Sequence, residues 1–120
     1  MSKEIIRAWI LEIDAKEKIP KDIVALCFNL YEPYGLELVG SKCYCEDNED
    51  WACEEDFVPE RRHCPGFEMP SFLGWEDVLD MVANILVELS WELPGTQIFQ
   101  VKHIALGFVD GNLVSKVMDI

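Results

Sequence analysis

IVALCFNLYEPYGLELVGSKCY, residues 23–44, alternates apolar and smaller or polar side chains on either side of a compact break. Val24, Leu26, Phe28 and Leu30 fall on one side of the first half, and Ala25, Cys27, Asn29 and Tyr31 on the other. That period of two is the signature of a β-strand. Glu32, Pro33, Tyr34 and Gly35 supply turn chemistry. Beyond them, Leu36 to Tyr44 reads as a second strand with Leu36, Leu38 and Gly40 on its inner face. The two strands are expected to pair as a hairpin.

Outward from the hairpin the period changes. Ile5, Ile6, Trp9, Ile10 and Ile13 recur at the spacing of one helical stripe, predicting an amphipathic helix over residues 3–17 with Ser2 as N-cap and Pro20 beyond its end. Trp75, Val78, Leu79, Val82, Ile85, Leu86 and Leu89 predict a second helix through about Trp91, closed by Leu93-Pro94-Gly95. Glu76 and Asp77 suit its electropositive start. Phe99 to Val109 and Asn112 to Met118 read as a second hairpin about an Asp110-Gly111 turn, with Ile104, Leu106 and Phe108 on one side. The expected fold is α+β: an antiparallel sheet of four to five strands with two amphipathic helices packed on one face, in a single domain over residues 1–120.

Between the first hairpin and the second helix lies CYCEDNEDWACEEDFVPERRHC, residues 43–64. Eight acids (Glu46, Asp47, Glu49, Asp50, Glu54, Glu55, Asp56 and Glu60) stand there without a base between Glu46 and Glu60. They account for eight of the thirteen net negative charges, and so make a local field. Trp51, Cys53, Glu55 and Phe57 alternate with Ala52, Glu54 and Asp56, predicting a short edge strand whose aromatics point in and whose acids face water. Pro59, Pro65, Gly66, Pro70 and Gly74 then mark a long irregular crossing.

The segment also holds four of the five cysteines. Zinc prefers thiolate and imidazole ligands, and Cys43, Cys45, Cys53, His63 and Cys64 are the candidates. Their spacing lacks the paired C-x₂-C units of a zinc knuckle, so the expectation is no cofactor, with zinc as the alternative. Calcium fits less well: Asp47, Glu49 and Asp50 offer oxygens, without the glycine turn or the bidentate glutamate of an EF-hand. An odd cysteine count without an export signal fits reduced thiols in the cytoplasm. No window reaches the ~20 apolar residues of a membrane span.

Catalytic motifs are missing: the sequence contains no Gly-rich phosphate loop, no G-x-S-x-G and no H-E-x-x-H. His63 beside Cys64 is a nucleophile pair only if the fold turns the ring toward the sulfur. A net charge of −13 repels nucleic acid and anionic lipid, and favours capture of a basic protein. Expected contacts for such a partner are Glu46, Asp47, Glu49, Asp50, Trp51, Glu54, Glu55, Asp56 and Phe57. A homodimer through the strand carrying Cys27, Asn29 and Tyr31 is a further expectation.

LYEPYGLELVGSKCYCEDNEDWACEEDF, with GFVDG near the end, resembles small, largely uncharacterised bacterial proteins. In acidity and size the chain is similar to immunity proteins that neutralise toxic nucleases. The resemblance implies a cytoplasmic protein that masks a basic active site with carboxylates, and it transfers no binding residue by position. The alternative is a small metalloprotein or enzyme using the Cys/His/carboxylate cluster between Cys43 and Cys64.

Overall fold

A computed structural model of the chain describes residues 2–31, 35–43, 55–67, 74–108 and 113–119. In chain order the elements are α1 (Ser2–Lys16), β1 (Ala25–Tyr31), β2 (Gly35–Ser41), α2 (Trp75–Glu92), α3 (Gln97–Gln100), β3 (His103–Phe108) and β4 (Leu113–Asp119). The fold is α+β around one mixed sheet, in the order β2-β1-β3-β4. Both hairpins form, with β1 antiparallel to β2 and β3 antiparallel to β4.

The expected antiparallel character of the whole sheet is corrected at its centre. β1 and β3 pair in parallel, Leu26 opposite Ile104 and Phe28 opposite Leu106. The long connection between the hairpins makes it possible. After β2, residues 55–64 run back antiparallel along β2, and α2 supplies the return crossover that a parallel pair requires.

Strand alternation sorts the sheet into two unlike faces. Leu26, Phe28, Leu30, Leu36, Leu38, Ile104 and Leu106 join one core with Ile6, Trp9, Ile10 and Ile13 of α1 and Val78, Leu79, Val82, Leu86 and Leu89 of α2. Trp9 meets Phe28 edge-on, ring centroids 6.0 Å apart, joining α1 to the central strand. The other face buries small side chains, Ala25, Cys27, Val39 and Ala105, with Val24 packed beside them rather than with Leu26.

Several boundaries move. Ser2 is already helical rather than a cap, β1 starts at Ala25 rather than Ile23, and β2 ends at Ser41 rather than Tyr44. The expected strand from Phe99 begins at His103, because Ile98 and Phe99 are both buried in the same core. Neighbours in a strand point to opposite faces, whereas one helical turn can sink both. α3 is also tied to α1: the Gln97 amide nitrogen donates to the carbonyls of Asp14 (3.2 Å) and Glu17 (2.9 Å), satisfying acceptors at the end of α1. The Asp110-Gly111 turn lies outside the described residues.

Candidate functional site

The segment 55–64 forms a strap along the free edge of β2. It bridges β2 at Gly40–Phe57 and at Glu37–His63, without becoming a regular strand. The Gly40 N–H donates to the Phe57 carbonyl (2.8 Å), and the Phe57 and Asp56 N–H groups return to the Gly40 carbonyl (3.1 and 3.0 Å). Further along, Leu38 N–H donates to the Arg62 carbonyl (2.9 Å) and Cys64 N–H to the Leu36 carbonyl (2.8 Å). These bonds occupy an edge that would otherwise offer unpaired groups to another chain. Gly40 makes the crossing fit, since a Cβ there would sit 3.0 Å from Ile23 and 3.2 Å from both Leu26 and Phe57.

Two adjacent arginines hold the strap from opposite sides. Arg61 turns to α1, pairing with Glu12 (3.2 Å) and Glu17 (3.3 Å). The Glu17 carboxylate also accepts the Glu60 and Arg61 N–H groups (2.6 and 3.1 Å), and the Trp9 indole donates to the Arg61 carbonyl (2.6 Å). Arg62 turns to β2, where its guanidinium lies between Glu37 (Nε–Oε1 3.2 Å) and Glu55 (Nη2–Oε2 2.9 Å). The hydrogen bonds to Glu37 first, and then to Glu55, raise the Arg62 pKa above its ordinary value; burial opposes them.

Glu37 is the centre of a polar row on the small-residue face. It is buried, accepts from Asn29 Nδ2 (3.2 Å), and sits 4.0 Å from His63 Nδ1. Asn29 Oδ1 in turn accepts from the Cys27 thiol at 3.1 Å. Tyr31 crosses Gly35, its partner on β2, at a place where any Cβ would collide with the ring. From there its hydroxyl reaches His63 Nδ1 at 2.9 Å. A buried carboxylate needs such company, because an uncompensated charge is costly away from water.

This placement divides the expected site residues. Glu55 is paired with Arg62, Asp56 accepts the Lys42 N–H (2.8 Å), and half-buried Phe57 packs against the helix-side core. Glu46, Asp47, Glu49, Asp50, Trp51 and Glu54 lie outside the described residues, as do the metal candidates Cys45 and Cys53. Of the other metal candidates, Cys43 is exposed, Cys64 is buried in the core and His63 is turned outward to Tyr31. Among the described residues no three His, Cys, Asp or Glu side chains are grouped to hold an ion. Burial pushes the Cys64 thiol up to about 12, so it carries little thiolate near neutrality. His63 and Cys64 therefore do not act as a nucleophile and its base: one faces solvent and the other the core. Nor is Cys27 exposed for a dimer contact; β1 is interior, paired on both sides, and Cys27 is buried.

The Glu37–Arg62 pairing was not read from the sequence. Glu37 at an alternating position of an edge strand looks like a solvated acid. Its burial depends on a strap 25 residues later in the chain. No helix among the described residues is long and apolar enough to cross a membrane. Comparison with protein-family models, with curated proteins and with solved structures finds no match.

Proposed function

We propose that the chain is an acidic protein-binding domain of the cell interior, an immunity-type inhibitor that holds a basic partner such as a nuclease toxin. The support is the fate of its cations. Lys3, Arg7, Lys16, Lys42, Arg61 and Arg62 are each paired with carboxylates of the chain itself. With 23 acids against 10 bases, the charge left to face outward is strongly negative. A basic protein is steered toward such a field, at a rate that falls with salt.

Binding would work by occlusion. Carboxylates of Glu46, Asp47, Glu49, Asp50 and Glu54 occupy positions that the partner's Lys and Arg side chains keep for phosphate, while Trp51 slows release. Glu55, Asp56 and Phe57 have a different part in this reading: through Arg62, Lys42 and Gly40 they anchor the end of the acidic segment to β2. The test is capture from the source cell at low and high salt, with any captured protein assayed for nuclease activity in the presence of the chain. Charge reversal at Glu49, Asp50 and Glu54 is expected to abolish capture and inhibition together. Glu55 is left intact so that the strap is not disturbed. Capture that survives both reversal and high salt would rule out the electrostatic mechanism.

A further inference from the structure

The outward face of α2 carries a second surface, separate from the acidic segment. Asp77, Asp80, Met81, Asn84, Glu88 and Trp91 recur at the spacing of one helical stripe, opposite the stripe that enters the core. Trp91 is 75% exposed and Met81 43%, making them two of the four large hydrophobic residues exposed among the described residues. Burial is the usual fate of a side chain this size, and an exposed tryptophan at the end of a charged stripe has the make-up of an interface anchor. Asp77 and Asp80 make no ion pair among the described residues, while Glu88 is shared with Lys3 (3.3 Å).

We propose that this face docks a basic amphipathic helix of a partner protein, with Trp91 as anchor and Asp77 and Asp80 as its charged rim. Charge selects this occupant. A second copy of the chain would bring acids against acids, and an anionic membrane would be repelled. Arg or Lys on an incoming helix can pair with the carboxylates and also lie over the indole face, where the ring attracts cations. From Asp77 to Trp91 the stripe runs about 21 Å at 1.5 Å per residue, room for about four turns of a partner helix. α1 makes the contrast: its outward charges are of both signs and largely paired with the chain itself, leaving no single-signed field.

The inference stands apart from the reading of residues 46–60, and one experiment separates them. A fluorescein-labelled 18-residue peptide of Leu and Lys, patterned as an amphipathic helix, is titrated against the full chain by anisotropy. W91A is expected to weaken binding about ten-fold or more. D77N/D80N should weaken it less and flatten its salt dependence. E49K/D50K/E54K should leave the effect of W91A intact. Equal binding by the parent chain, W91A and D77N/D80N would overturn the proposal, as would loss of binding confined to E49K/D50K/E54K. A concentration-dependent dimer in sedimentation that W91A abolishes would give the face to a second copy. Adsorption to phosphatidylcholine vesicles that W91A abolishes would give it to lipid. Either result also overturns the proposal.

Discussion

The two faces of the sheet are made by the same strands and stabilised differently. Toward the helices, Leu26, Phe28, Leu30, Leu36 and Leu38 pack against α1 and α2. On the opposite side Ala25, Cys27 and Val39 give way, one pair further along, to Asn29 beside Glu37 and then Tyr31 beside Gly35. The first face is non-directional and gains from area removed from water. The second depends on matched donors and acceptors, so losing one partner leaves another unsatisfied. In this fold the apolar face supplies bulk stability. The polar face positions the strap, and with it the end of the acidic segment.

Breaking each face in turn measures that division. Phe28→Ala removes a fully buried ring and its edge contact with Trp9, and should cost about 3–5 kcal/mol in urea unfolding. Glu37→Ala should cost about 2–3 kcal/mol, less than the loss of a fully buried pair, because Arg62 keeps Glu55 and is 29% exposed at its side chain. Adding Arg62→Met to Glu37→Ala should recover part of that loss. Strict additivity of the two changes would show that the carboxylate and the guanidinium do not act together. Gly40→Ala is expected to cost about 1–2 kcal/mol by crowding Ile23, Leu26 and Phe57. A greater gain in proteolytic nicking near residue 57 than elsewhere would locate that damage in the strap; uniform sensitivity would not.

The smallest effect belongs to the exposed clamp between the helices. Hydrogen bonding from Lys3 lowers the Glu92 pKa most, opposed by desolvation and helped by the Lys3 and Arg7 charges. Because the folded-state pKa is depressed, the stabilisation is present above the ordinary carboxylate range and is lost as pH falls through the lowered value. Glu92→Gln should thus lower the melting temperature slightly at pH 7 in low salt, and the gap should close as the pH falls below the lowered Glu92 pKa. A gap that persisted in acid would mean that packing, not charge, joins the two helix ends.

Local pattern carried much of this architecture. The period-two run in residues 25–31 places Leu26, Phe28 and Leu30 of β1 toward the helices. In α2 the 3.6-residue stripe holds from Val78 to Leu89, with Val78, Leu79, Val82, Leu86 and Leu89 in the core and Ile85 packed against it. These signals are local because each element must present an apolar face to whatever covers it. α3 escaped the same reasoning, since Ile98 and Phe99 in a run of four helical residues give no period to detect.

By itself the sequence determined the alternating strands, the two amphipathic helices and an excess of negative charge, because composition and periodicity are properties of neighbours along the chain. Only the tertiary structure decided that β1 and β3 run parallel, that Arg61 and Arg62 part company to bind opposite layers, and that Glu37 is buried rather than solvated. Those outcomes depend on the connection between the hairpins and on which distant segment arrives at a free edge. Such contacts join residues tens of positions apart, and no local pattern encodes them.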